Sequence, residues 1–379
     1  MGECTDIRNV LCNCKSLTRV RFETLAKVIY ADGFLRSCDN LTSVYLPDIG
    51  RDHPLQEMSN GFSGCVKLTD IEIEGETLPV GLRSMGYLYG QCELLTRLIP
   101  IPNDFIYDVD MSGCCSRCSS LTDDNIYKEI PFRVTNISYI YERCNGLVNP
   151  VVNVNTDNVY AKQAFRYCEN IKTLTVNFNG RLLRDSTYFA EYCNRLETVN
   201  FKFPSALTMH DYYGTGVTYY NMFQYCNSLK IVNLNMTKLA DTNSKADFGG
   251  MFYEDKYIEE IHGLDFTYLK KPVRSLTSTG QNSYDCHDTS ITSGAVFENL
   301  KNFDVTGLLG GSYNFKNINT IGHTKTILRH LDTVTAETLG LTYNIMDAID
   351  DEKTEAVDEE LRTLALDAMN NKGWTFAIV

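Results

Sequence analysis

Fourteen cysteines and six histidines stand among the 379 residues, and they are the side chains best able to hold a metal, oxidise or act as nucleophiles. Cys114, Cys115 and Cys118 form the densest thiol group, followed by Cys12 and Cys14. A zinc site would need thiolates or imidazoles converging as a tetrahedron. The histidines, His53, His210, His262, His287, His323 and His330, are scattered, with neither a paired helical spacing nor a compact grouping with cysteines. "GLLGGSYNF" (307–315) is glycine-rich but lacks a following lysine and phosphate-loop spacing, so it reads as a loop. Carboxylates are plentiful, yet no nucleophile and base are paired by spacing. The sequence therefore predicts no catalytic residue, no metal, no cofactor and no enzyme.

The cysteines obey a different rule. Cys14, Cys38, Cys65, Cys92, Cys118, Cys144, Cys168, Cys193 and Cys226 follow one another at spacings of 24, 27, 27, 26, 26, 24, 25 and 33 residues. The words after them run "KSLTRVRF", "DNLTSVYL", "VKLTDIEI", "ELLTRLIP", "SSLTDDNI", "NGLVNPVV", "ENIKTLTV", "NRLETVNF" and "NSLKIVNL". An aliphatic residue fills the third position after every one of these cysteines. The sixth is apolar except at Asp124 and Pro150. Two degenerate copies follow, with Asp255 and Phe297 in the cysteine's place. Self-similarity at this period predicts a solenoid, whose terminal repeats are commonly atypical.

Positions six and eight point one way and five and seven the other, which is strand periodicity. One short strand per repeat predicts a parallel sheet with about 4.8 Å between neighbours. An aromatic residue three or four places before the cysteine (Phe34, Phe62, Tyr89, Tyr141, Phe165, Phe189, Phe223) predicts a helical turn covering the far side of the core. In such a stack the recurrent cysteine reads as a compact buried residue whose thiol can bond a nearby carbonyl. A line of sulfurs does not make the tetrahedron that a metal wants.

The chain is 43% hydrophobic and 22% charged, as expected of a folded protein, and carries a formal charge of −13, which argues against nucleic acid or anionic lipid as partner. No apolar run reaches the roughly 20 residues that span a bilayer, so no membrane insertion is expected. "MGECTDIRNVLCNCKSL" lacks the basic start and apolar core of a secretion signal, and Asp6 spoils the myristoylation pattern. Reduced cysteines are the resulting expectation.

The recurring aromatic, Cys, Leu, Val or Ile and apolar positions resemble BspA-like leucine-rich repeats over about residues 10 to 310. The resemblance implies an α/β leucine-rich-repeat solenoid with a parallel sheet on its concave face, serving binding and adhesion and not catalysis. The family's "IP" and helper strand survive only as "YLP" (45–47), "LIPIP" (98–102) and "FKFP" (201–204).

From Thr333 the pattern changes. Leu339, Ile345, Met346 and Ile349 suggest an amphipathic helix, and Val357, Leu361, Leu364 and Ala368 fall on one face of a second. Gly373 would end it, Trp374 would pack back, and "TFAIV" would form a last strand. The expected organisation is a solenoid over 1–310, a connector over 311–332 and a helical cap or docking segment over 333–379. The ending, with "NNKGWT" after the helix, resembles the tails of repeat proteins of tailed phages and prophages.

Recognition is expected at outward strand positions: Arg19, Arg21, Tyr45, Glu72, Arg97, Asn125, Asn200, Asn233 and His262. With the other outward positions, Asp70, Asp123 and Glu260 among them, they form a basic end, a neutral middle and an acidic end, without the sustained basic track of a phosphate binder. The leading expectation is a phage virion protein, in the tail or attached to the capsid, assembled in the host cytoplasm. It would meet other virion proteins or a host-surface protein or glycan, in multiple copies. The alternative is a bacterial surface adhesin binding host protein or glycan.

Overall fold

The computed structural model describes residues 3–204, 219, 221–236, 251–255, 257–265, 302–306, 313–315, 328, 337–341 and 358–378. The chain forms two compact units, Met1–Asn194 and Arg195–Val379. Both contain the coils of a parallel β-solenoid of the leucine-rich-repeat class.

In Met1–Asn194 eight coils stack, one per cysteine from Cys14 to Cys193. The leucine or isoleucine three places on is fully buried from Leu41 through Ile171. The first strand ladder joins Arg19–Arg21, Ser43–Leu46 and Asp70–Ile73 in parallel. Its register sets Val20 beside Val44 and Val44 beside Ile71, so each sixth position meets its counterpart. A second stretch joins Glu129–Ile130, Val151–Val154 and Thr173–Phe178. A further ladder precedes each turn. It begins as single bridges linking Asp6, Tyr30, Glu57, Ser84 and Asp110. It widens into the strands Val109–Asp110, Val134–Asn136, Asn158–Tyr160 and Leu182–Asp185.

The segment ahead of each cysteine is not a helical turn. Counting back from the cysteine, the N–H groups of residues seven, five, three and one places earlier donate to carbonyls of the next coil. All seven junctions repeat this, from Ile7 N–H to Tyr30 O through Tyr167 N–H to Glu191 O, at 2.7–3.0 Å. The intervening residues close i−3 turns, as Gly61 N–H does on Met58 O and Cys65 N–H on Phe62 O. A helix would bond these groups internally, whereas here alternate groups must face the neighbour. That alternation places a left-handed residue five and one places before each cysteine. These are Asn9 and Asn13, Gly33 and Ser37, Asn60 and Gly64, Tyr87 and Gln91, Gly113 and Arg117, Tyr139 and Arg143, Gln163 and Tyr167, and Tyr188 and Tyr192. For a residue with a Cβ this conformation costs about 1 kcal/mol.

The cysteine column lies inside these turns. Each buried thiol donates to the carbonyl three places before the preceding cysteine: Cys38 to Leu11, Cys65 to Leu35, Cys92 to Phe62, Cys118 to Tyr89, Cys144 to Cys115, Cys168 to Tyr141 and Cys193 to Phe165, at 2.9–3.2 Å. Serine would bury a more polar group, and valine would lose the donor. Beside the thiols runs an aromatic file, Phe34–Phe62–Tyr89 and then Tyr141–Phe165–Phe189, with ring centroids 5.2–6.0 Å apart.

Both regularities break at the same place. After Cys92 comes "LIPIP", whose prolines have no N–H for a ladder, and no strand forms there. Ile99, expected to face out, is buried, and Arg97 lies outside any strand. Asn125 belongs to a turn, its N–H on Thr122 O at 2.9 Å, and Asp123 caps the N–H groups of Val148 and Asn149. Arg97 and Asn125 are therefore not sheet-face positions. In the aromatic file, Cys114 and Cys115 stand where the next ring should be, and Tyr127 is buried nearby. Tyrosine hydroxyls then partner the backbone that the lost strand leaves behind. Tyr89 Oη accepts from Ile99 N–H at 3.3 Å, Tyr127 Oη donates to Ile99 O at 2.8 Å, and Tyr141 Oη donates to Tyr127 O at 3.0 Å. Phenylalanine occupies the file away from the break and tyrosine its two borders.

In Arg195–Val379 the ladder Thr198–Lys202, Ile231–Asn235, Glu260–Asp265 and Asn302–Thr306 keeps the expected register, with Val199 beside Val232, Val232 beside Ile261 and Ile261 beside Phe303. The two degenerate copies thus contribute strands. The C-terminal segment differs from expectation. Where a first helix was expected, Glu337–Leu341 is a strand, central in a parallel sheet with Tyr313–Phe315 and Trp374–Ile378. The spaced apolar residues fit either period. The rest of that stretch, including Ile345, Met346 and Ile349, lies outside the described residues. The second helix is present as Glu359–Asn370, capped by Asp358, whose carboxylate accepts from Leu361 N–H at 3.0 Å. It buries Leu361, Ala365 and Ala368; Gly373 follows at φ 78°, and Trp374 is buried.

Two measurements probe this core. Tyr141→Phe leaves the buried Tyr127 carbonyl without that donor and should cost about 1–3 kcal/mol in urea unfolding, and Phe165→Tyr should also destabilise, by burying an unpartnered hydroxyl. Burial lifts the thiols of Cys65, Cys144 and Cys193 to about 12. Alkylation at pH 8 followed by peptide mapping should therefore label the half-exposed Cys4, Cys12 and Cys14 first, and the column only with denaturant.

Candidate functional site

Strand alternation sends one side chain in two to the outer face of each sheet, and the coils bring equivalents into register. In the first ladder Arg19 stands beside Ser43 and Ser43 beside Asp70, while Arg21 stands beside Tyr45 and Tyr45 beside Glu72. The Arg21 guanidinium lies 3.9 Å over the Tyr45 ring. Tyr45 Oη donates to Glu74 Oε1 at 2.5 Å, and Glu74 Oε2 accepts from Asp48 N–H at 3.0 Å. The hydrogen bond to Glu74 raises the Tyr45 phenol and lowers the Glu74 carboxyl, because it holds a proton donor against a carboxylate. Four of the expected residues, Arg19, Arg21, Tyr45 and Glu72, are thus brought together, and Glu74 joins them.

The second face carries an amide ladder that the expected offsets do not reach. Asn177 Nδ2 donates to Asn153 Oδ1 at 2.9 Å, and Asn153 Nδ2 to Glu129 Oε1 at 2.6 Å. One pleat further, Asn179 Nδ2 donates to Asn155 Oδ1 at 2.9 Å, and Asn155 Nδ2 to Glu129 Oε2 at 3.0 Å. Both files point their donors the same way and end on one carboxylate, so each bond polarises the next. Asn153 and Asn155 each spend one donor and one acceptor within their files. A signal existed: "NVN" at 153–155 recurs as "NFN" at 177–179, 24 residues on, the spacing of Cys144 and Cys168. It lies beyond the outward offsets five and seven, because Asn153 and Asn177 stand nine places after their cysteines and Asn155 and Asn179 eleven.

In Arg195–Val379, Asn200, Asn233 and His262 stand side by side as expected. Asn233 Nδ2 donates to Asn200 Oδ1 at 2.8 Å, and His262 Nε2 lies 2.9 Å from Glu260 Oε2. Among the described residues no three His, Cys, Asp or Glu side chains converge as a metal site, and no helix is long and apolar enough to cross a membrane. Cys114, Cys115 and Cys118 are buried in the column and its aromatic gap.

Two buried titratable groups serve the core. Burial lowers His53, whose Nδ1 accepts from Leu55 N–H at 3.1 Å while Nε2 meets Leu25 O at 3.0 Å, the arrangement of a neutral ring. Asp255 occupies the cysteine position of its coil. It is fully buried, Oδ1 accepts from Cys226 N–H at 2.6 Å, and Oδ2 has no hydrogen-bond partner. Burial raises its carboxyl well above the usual range. The folded protein therefore holds a proton that the unfolded chain releases above about pH 4, and stability contributed by this site is lost as pH rises. Asp255→Cys should stabilise the protein by about 1–3 kcal/mol at pH 7.5 and by less at pH 4.5, read from urea unfolding at both.

No protein-family model matches the chain, and no curated protein does. Among solved structures it is similar to a leucine rich cell surface protein from Faecalibacterium prausnitzii, at 14% identity and TM-score 0.32, over 76% of this chain and 88% of that one. A leucine-rich-repeat protein of Leptospira interrogans is 13% identical with TM-score 0.28, over 88% and 78%. A TLR13–ssRNA13 complex is 13% identical with TM-score 0.26, over 93% and 52%. At such scores the fold rests on this chain's own strand register, which is that of a leucine-rich-repeat solenoid.

Proposed function

We propose that the chain is a non-enzymatic recognition protein whose sheet faces bind a protein or glycan. The observation that carries this reading is the amide ladder ending on Glu129. It is an array of oriented amide donors and acceptors fixed by the coil repeat. Carboxamides of this kind match hydroxyl pairs and peptide groups equally, and rigidity spares the entropy of ordering them on binding.

The setting we propose is a phage particle, in the tail or attached to the capsid, assembled in the host cytoplasm. Its support is the likeness of the "NNKGWT" ending to those of phage and prophage repeat proteins. The second reading, a bacterial surface adhesin, is favoured by the BspA-like pattern of the repeats. Peptide mass spectrometry of density-purified particles against washed cell envelopes separates them. Recovery in envelopes and not in particles removes the phage reading.

Recognition itself is tested by screening the full chain on a glycan array and against host-surface protein. The Asn153→Ala, Asn177→Ala pair should weaken any captured ligand at least tenfold while shifting Tm by no more than a few degrees. Undiminished capture would place recognition elsewhere.

A further inference from the structure

The left-handed positions of the turn edge change character along Met1–Asn194. In the first three coils they carry asparagine, glycine and serine, which tolerate positive φ well. Beyond them, Tyr87, Tyr139, Tyr167, Tyr188 and Tyr192 occupy the same conformation, which is unfavourable for a bulky ring. The backbone bonds at these positions are the same whatever the side chain, so asparagine would serve the fold as well. None of these five rings is buried, so core packing does not account for them.

The rings are nevertheless ordered. Tyr167 stacks on Tyr192 with centroids 4.9 Å apart and planes 1° from parallel, and the Arg143 and Arg166 guanidiniums lie 4.5 Å and 4.6 Å from the Tyr167 centroid. Tyr87 lies against Gly113 of the next coil, where a Cβ would stand 2.3 Å from its ring. Arg117 and Arg143 occupy the same column in successive coils. Among the described residues the Arg117 guanidinium has no ion pair, and Arg143 has only Glu142 at 3.9 Å. Among the described residues Glu142 is the one carboxylate ion-paired with either arginine, which leaves a local excess of positive charge that an acidic group from outside complements.

We propose that this turn edge is a second recognition surface, distinct from the sheet faces, and that its partner is an acidic segment of another protein. Guanidinium forks take carboxylates in a bidentate grip. Tyrosine and arginine together are the residue types that dominate protein interfaces. A sugar ring would need an open aromatic face, but Tyr167 is stacked on Tyr192 and has the Arg143 and Arg166 guanidiniums over its ring. What this file offers is ring edges, hydroxyls and the two arginines.

The test titrates the full chain with fluorescein-labelled hexaglutamate at low salt, with labelled hexalysine and a heparin oligosaccharide alongside. The chain's overall charge of −13 opposes an anionic peptide, so binding requires a local site. Hexaglutamate should bind and hexalysine should not compete for the site. The pair Arg117→Gln, Arg143→Gln should weaken hexaglutamate at least tenfold, and so should Tyr167→Asn, Tyr192→Asn. The asparagine pair should keep or raise Tm, since asparagine suits positive φ. No hexaglutamate binding, unchanged affinity in the arginine pair, or tighter binding of heparin overturns the proposal. A Tm fall of several degrees in the asparagine pair overturns the functional reading of the rings, while the arginine pair still reports on the anion site.

Discussion

A coil with no helix on its return path has backbone groups that only another coil can satisfy. That constraint organises Met1–Asn194. At every junction four N–H groups of the turn segment reach the next coil while their neighbours close turns within their own. An unpaired buried peptide group costs on the order of 1–3 kcal/mol, so a coil cannot drop out of register without losing several such bonds at once. The left-handed residues, the buried thiols and the close approach of successive coils are consequences of this alternation.

The thiol column shows how a weak interaction becomes a rule. An S–H···O=C bond contributes little by itself, and cysteine is chosen because the site is small, apolar and faces a carbonyl with a lone pair to spare. Repetition makes the choice legible, and substitution shows its limits. Asp255 keeps the hydrogen-bonding capacity of the position but brings a carboxyl that must stay protonated to remain buried. At the break after Cys92 a different solution appears: hydroxyls on Tyr89, Tyr127 and Tyr141 replace the missing strand's bonds. Two cysteines there vacate the space of one ring.

Much of this was readable in the residues. The nine cysteines and their aliphatic companions gave the coil, its strand and the register, even for the copies centred on Asp255 and Phe297. Less was readable of the turn edge, because positive φ leaves no mark when tyrosine, glutamine and arginine occupy it as often as glycine. Arg97 and Asn125 were misplaced for a local reason, since prolines and a capping aspartate displace the strand while the cysteine spacing stays regular. The same displacement hid Glu129, while Asn153 and Asn155 stand further along their strand than the outward offsets five and seven. At Glu337–Leu341 an apolar pattern without a decisive period was resolved by parallel partners far along the chain.

A solenoid separates its obligations by position. Inward residues answer to packing and the turns answer to the alternation of backbone bonds, which leaves the outward strand positions and the turn-edge side chains free to answer to something else. Those are the places where residue choice exceeds what the coil needs. Four asparagines on one face pass hydrogen bonds toward one carboxylate, and tyrosines accept an unfavourable backbone to stand in a file. Neither arrangement follows from the core, because serine or threonine would complete the one surface and asparagine or glycine the other. The partner contacts proposed above account for both, on surfaces that the repeat holds in place.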